Sequence, residues 1–188
     1  MNSYNVRNNF KNGAIFCLLV MLMAGCAGKN DDLRITEYFD LPEYFTSKAI
    51  EYQDKQASLK KTLSRPSDTE VVEKDDVDWM SEFKPFIEID LNRPAFSNGY
   101  MKDTIQTDSG MVITYTARDS TFEIKKVSLS FNDGSLKKVD AIHSKDNVYY
   151  FSREILTFED GKGYEIRVSN VMKAGKPVEF SIRGDVIH

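Results

Sequence analysis

From Tyr100 onward the apolar residues shift from a helical spacing to every second position, and this shift constrains the fold more than any other feature of the chain. Met111 to Tyr115, Val127-Ser-Leu-Ser-Phe131, Tyr164-Glu-Ile-Arg-Val168 and Val178-Glu-Phe-Ser-Ile182 all alternate apolar with polar residues. Successive side chains of a strand point to opposite faces, so each segment reads as a strand with one face buried. Turn-forming sequences separate them: Asp108-Ser-Gly110, Arg118-Asp-Ser120, Asn132-Asp-Gly134, Lys145-Asp-Asn147, Asp160-Gly-Lys-Gly163 and Ala174-Gly-Lys-Pro177. Asp133-Gly134 is the most specific of these, because both central residues of a two-residue hairpin turn need positive φ. A parallel crossover needs a dozen or more residues, which these gaps lack, so about six or seven strands should form an antiparallel meander.

The preceding stretch reads as helical. Asp40-Leu-Pro-Glu43 has the form of a helix start, with Asp40 as N-cap, Pro42 in the first turn and Glu43 at the reciprocal capping position. Leu41, Phe45, Ala49, Tyr52, Gln56, Leu59 and Leu63 then recur at steps of three and four, and Arg65-Pro66 ends the stripe. Ser67 with Glu70 repeats the capping pattern, and Val72, Trp79, Met80 and Phe83 continue a helical face to Pro85. The expected organisation is a helical hairpin over residues 40–84, a packed connector over 85–99 and an antiparallel sheet over 100–188. Within the connector, Phe86 to Leu91 is compatible with a strand, a short helix or a buried loop. The fold class is α+β, with the helices covering one face or edge of the sheet.

Composition removes several function classes. The chain has 188 residues, 41% hydrophobic and 29% charged, with two cysteines and a formal charge of −4. This is enough apolar content for a core and excludes a disordered tail. No Lys/Arg run approaches the basic stripe that a phosphate backbone requires, so nucleic acid is not an expected partner.

The first 25 residues read as a signal peptide rather than as part of the body. Arg7 and Lys11 precede the apolar run Ala14 to Ala24, which is too short to span a hydrocarbon core of ~30 Å as a helix. The run ends in Leu22-Met23-Ala24-Gly25-Cys26, which resembles a bacterial lipobox. Small residues there let the peptidase grip extended backbone beside the bilayer, and only a thiol can form the thioether to diacylglycerol. The resemblance implies that Cys26 is lipidated and becomes the new N-terminus. Met23 departs from the usual leucine, and the alternative is ordinary cleavage with Cys26 as a plain thiol.

Removing residues 1–25, which carry two basic and no acidic side chains, leaves 163 residues with 23 basic against 29 acidic ones, a net of −6. Cys26 is then the only cysteine, so a lipidated chain forms no internal disulfide. Two or three acyl chains, at about 0.8 kcal/mol per buried methylene, give durable anchoring. Residues 26–39 form the expected tether. Ala27 after the cysteine looks like outer-membrane sorting, and Lys29-Asn-Asp-Asp32 is similar to the export tags of surface lipoproteins in the Bacteroidetes.

Residues that could carry chemistry are few. The histidines are His143 and the terminal His188, and no Gly-x-Ser-x-Gly elbow, phosphate-binding loop or dinucleotide fingerprint accompanies them. No catalytic residue, metal site or cofactor is therefore expected, and His143 reads as an ordinary half-exposed strand residue. The acidic group Glu70, Glu73, Asp75, Asp76 and Asp78 reads as a solvated helix face. Trp79, Phe83 and Phe86, with Tyr149 and Tyr150, are the candidate binding aromatics, weighed against a place in the core.

These observations lead to a non-catalytic, lipid-anchored envelope lipoprotein that contacts the membrane through its anchor and binds an envelope protein or surface component. A second reading is a carrier of lipid or another hydrophobic ligand. The inferred sheet with a helical lid resembles, in architecture only, the half-barrel carriers of lipoprotein localisation. A carboxylate-based enzyme acting on carbohydrate is a third reading.

Overall fold

The computed structural model describes residues 37–172 and 177–187. Helix α1 (Leu41–Asp54) leads into strands β1 (Ser58–Ser64) and β2 (Thr69–Lys74), followed by helix α2 (Trp79–Ile87) and a 3₁₀ turn at Pro94–Phe96. Seven strands follow: β3 (Tyr100–Thr107), β4 (Gly110–Ala117), β5 (Ile124–Asn132), β6 (Ser135–Asp146), β7 (Tyr150–Glu159), β8 (Gly163–Met172) and β9 (Val178–Ile187). All nine strands belong to one open antiparallel sheet, in the order β2-β1-β9-β8-β7-β6-β5-β4-β3. The α+β class and the meander from Tyr100 onward are as the alternation predicts. At the β5–β6 turn, Asp133 and Gly134 have φ of +48° and +72°, the left-handed conformations that a two-residue hairpin turn demands.

The helical hairpin over 40–84 is not formed, and the sheet has nine strands rather than six or seven. Helix α1 starts as expected, with the Asp40 carboxylate accepting the Glu43 N–H at 2.9 Å. It stops at Asp54, and Gln56 turns the chain in the left-handed region at φ +51°. Leu59 and Leu63, expected to continue the helical stripe, instead alternate along β1. The step from 59 to 63 is divisible by two as well as close to a helical repeat, so spacing cannot separate the two conformations there. The deciding contact is distant in sequence: β1 pairs with the last strand, β9, from Ser58↔Ile187 to Ser64↔Ser181. Without that pairing β9 would present a bare edge of backbone donors and acceptors.

Ser67 and Glu70 likewise start no helix. Pro66 and Ser67 are the tip of a hairpin, closed by Arg65 and Asp68 exchanging backbone hydrogen bonds at 2.8 and 3.3 Å. Helix α2 begins instead at Trp79, where the Asp78 carboxylate accepts the Ser81 N–H at 3.1 Å. Pro85, expected to end the helix, lies inside it, and α2 runs on to Ile87 because Phe86 is fully buried against the sheet. The acidic group is solvated but not helical: Glu70 and Glu73 lie on the exposed edge strand β2, and Asp78 is the N-cap of α2.

The two helices pack on the inner face of the sheet. Phe45, Ala49 and Tyr52 from α1 and Trp79, Phe83 and Phe86 from α2 meet Leu129, Val139, Leu156, Phe158 and Tyr164, all of them buried. The Phe45 ring centroid is 4.8 Å from that of Phe86 and 5.0 Å from that of Phe158, so rings from both helices and the sheet interlock. Each such side chain contributes about 1.5–3 kcal/mol on burial. The indole N–H of Trp79 donates to the Ala57 carbonyl at 3.2 Å, which removes the cost of burying that donor.

The connector is packed, as its aromatic content predicts: Ile89, Leu91 and Asn92 are buried. Tyr38, expected in the tether, belongs to this body. Its backbone N–H donates to Asn92 Oδ1 at 2.9 Å, Asn92 Nδ2 donates to its carbonyl at 3.0 Å, and its hydroxyl accepts the Tyr100 N–H at 3.1 Å. At the β7–β8 turn, Gly163 has φ +136°, and a Cβ there would lie 1.9 Å from the Gly184 carbonyl oxygen. Among the described residues, no helix is long and apolar enough to cross a membrane.

Candidate functional site

The inner face of the sheet extends past the helices, and a cleft of about 780 Å³ lies where α2 and the connector meet β5, β6 and β7. Its position follows from strand alternation. Val139 and Ala141 on β6 are buried against the helices, and His143 is the next residue on that face. Cross-strand register then sets His143 beside Glu154 of β7 and Ile124 of β5. The register is irregular between Ile124 and Lys126, and such irregularities re-aim neighbouring side chains.

Apolar residues Ile89, Phe96, Phe122, Ile124 and Leu156 line part of the cleft, while Lys84, Glu88 and Arg93 contribute charge from the helix and connector. On the sheet side His143 stands between two carboxylates, with Nε2 3.3 Å from Glu123 Oε2 and Nδ1 3.4 Å from Glu154 Oε2. Lys145 Nζ reaches the other oxygen of Glu123 at 3.0 Å. The Glu154 carboxylate raises the imidazole above its ordinary value against the opposing effect of burial, and Glu123 adds to the rise. Glu154 is lowered in turn, chiefly by His143, and Glu123 is lowered chiefly by Lys145.

This arrangement suits ion pairing better than the positioning of a nucleophile. Both ring nitrogens of His143 face carboxylates, and the two hydroxyls lining the cleft are engaged elsewhere: Ser81 with Asp78 at 2.6 Å and Thr121 with Asp119 at 2.8 Å. Among the described residues, no group of three or more His, Cys, Asp and Glu side chains is placed to hold a metal ion.

The candidate aromatics divide. Trp79, Phe83 and Phe86 are buried in the helix-to-sheet core. Tyr149 is highly exposed in the β6–β7 turn, and Tyr150, half-buried, opens β7. The two groups do not meet in a single site. The lipobox residues Leu22, Met23, Ala24 and Gly25, with Cys26, lie outside the described residues. Sequence reasoning treats His143 singly and misses Glu123 and Glu154. The available signal is positional: His143 continues the alternation of Val139 and Ala141 on the face that should be buried.

No protein family, curated protein or solved structure matches this chain.

Proposed function

We propose that this chain is a lipid-anchored lipoprotein of the bacterial cell envelope, sorted to the outer membrane, whose domain has a non-catalytic binding role. The observation that carries the reading is the run Leu22-Met23-Ala24-Gly25-Cys26 at the end of a short apolar segment preceded by Arg7 and Lys11. The mixed apolar and charged cleft between α2 and the sheet supports binding as its task, and the engagement of His143 by two carboxylates supports a role without catalysis. The partner is an envelope protein or surface component, and the domain faces either the periplasm or the exterior.

Metabolic labelling with palmitate and membrane fractionation test the anchor. The parent chain should incorporate label and fractionate with membrane, while Cys26→Ser should be unlabelled and soluble or uncleaved. Identical processing and partition of the two would overturn the reading. Photo-crosslinking residues placed at Lys84 and Thr121, on the cleft, should capture a partner in intact cells, whereas one at Thr69 on β2 should not. Capture at Thr69 alone would remove the cleft from the proposal.

A hydrophobic-ligand carrier is the second reading, favoured by the apolar side of the same cleft at Phe96, Phe122 and Leu156. The buried aromatic rings of α2 weigh against a cavity running the length of the helix-to-sheet interface.

A further inference from the structure

The β6–β7 turn and the adjoining ends of β7, β8 and β9 project past the body of the sheet. His143 and Glu154 are register partners, and Tyr150 lies four residues nearer the strand end than Glu154, about 13 Å farther along β7. This end carries Val148 and Tyr149 at 79% exposure each, Met172 at 61% and Val178 at 55%. Turn hydrogen bonds hold Val148 and Tyr149 there: the Asn147 side chain accepts the backbone N–H groups of Tyr149 and Tyr150 at 2.9 and 3.0 Å, and Asn147 N–H donates to the Tyr150 carbonyl at 3.0 Å.

At the tip of this projection apolar side chains stand on both faces. Tyr150 is paired with Met172 on one face, and Phe151 with Val171 on the other. Farther along the same strands the second face is mostly polar, with Arg153 opposite Ser169, Ile155 opposite Arg167 and Thr157 opposite Glu165. Packing on the helices accounts for apolar residues on the inner face only, which leaves Phe151 and Val171 on the other face open to a different occupant.

The point where the chain enters the body indicates which occupant. Glu37 accepts the Asn98 N–H at 3.1 Å, and Asn98 lies just before the start of β3. In an antiparallel sheet the start of β3, the end of β6, the start of β7 and the end of β8 lie at the same end. Eleven peptide steps separate Cys26 from Glu37, a span of at most about 38 Å. A lipid on Cys26 would hold Glu37, which is at this end of the sheet, within that distance of the bilayer.

We propose that the apolar end formed by Val148, Tyr149, Phe151, Val171, Met172 and Val178 contacts the bilayer that holds the anchor. This rests on the lipid-anchor reading. Tyrosine suits the headgroup boundary, where its ring is buried and its hydroxyl remains hydrated. The anchor supplies the main affinity, and the apolar end fixes which face of the domain points to the membrane.

The test uses the full-length chain, matured by its bacterial host and reconstituted into phosphatidylethanolamine/phosphatidylglycerol vesicles that contain brominated acyl chains. Tyr149→Trp adds an exposed tryptophan to the native buried Trp79, and Ser135→Trp adds one at the opposite end of the sheet. The expected result is a blue shift and bromolipid quenching for Tyr149→Trp, with neither for Ser135→Trp. Equal response at both positions, no response at Tyr149→Trp, or failure to associate with vesicles would overturn the proposal. So would a blue shift at Tyr149→Trp that appears without lipid and depends on protein concentration, which would indicate a second copy as the occupant. The mass of the purified chain separates the two readings. Acylated Cys26 without quenching leaves the anchor standing and removes the contact, whereas quenching without acylation does the reverse.

Discussion

Lys61 of β1 and Glu82 of α2 form an ion pair of 2.7 Å that ties the β1–β2 hairpin to the second helix. The same Glu82 oxygen accepts the Tyr164 hydroxyl, bringing β8 into the contact. Glu82 is largely buried, so removing its charge should leave two donors poorly matched together. Glu82→Gln should therefore cost about 2 kcal/mol. Tyr164→Phe, which leaves the ion pair intact, should cost about 1 kcal/mol. Urea unfolding midpoints of the two variants check the order, and equal effects would show that the ion pair contributes nothing beyond the hydroxyl bond.

Stability should depend on pH through His143. Its folded-state proton affinity is raised by Glu154 and Glu123, so its contribution is complete below the ordinary imidazole value of 6.5 and is lost as pH rises through the raised value. Glu123 and Glu154 are lowered, so their contributions are present above the ordinary carboxylate range and lost as pH falls through the lowered values. The cluster is therefore most stabilising in mildly acidic solution. Denaturant titrations at about pH 5.5 and about pH 8.5 should show a loss at the higher pH that is smaller in His143→Gln. An unchanged pH dependence in the variant would assign the effect to other groups.

Helix α1 should loosen when Lys48 loses its partner. Lys48 Nζ lies 2.7 Å from Asp160 Oδ1 in the β7–β8 turn and 2.8 Å from Glu51. Burial opposes the charge, but these hydrogen bonds raise the ammonium above its ordinary range. Asp160→Asn should cost about 1–2 kcal/mol and speed hydrogen exchange in α1 more than in β6. Uniform acceleration across both elements would indicate global destabilisation instead.

Two glycines should respond differently to alanine. Gly134→Ala meets nothing within 4 Å and incurs only the left-handed backbone penalty, about 1–2 kcal/mol. Gly163→Ala would drive a Cβ into the Gly184 carbonyl, so β8 and β9 must separate and the loss should exceed that of Gly134→Ala. Thermal melts of both variants decide this, and comparable melting temperatures would show that the strands yield easily.

The meander was legible before any contact was known. Alternation from Met111 to Ile182 and the Asp133-Gly134 turn are local signals, because strand period and turn conformation depend on neighbouring residues. The start of helix α1 at Asp40 was legible for the same reason, since a cap is a contact across three residues. Other features rest on distant partners. Leu59 and Leu63 fit either a helix or a strand, and pairing with β9, more than a hundred residues away, selects the strand. His143 acquires Glu123 and Glu154 as partners only through register across β5, β6 and β7. Local spacing specifies which face a side chain occupies, whereas the backbone partners and charges that it meets depend on contacts closed only when distant segments pack together.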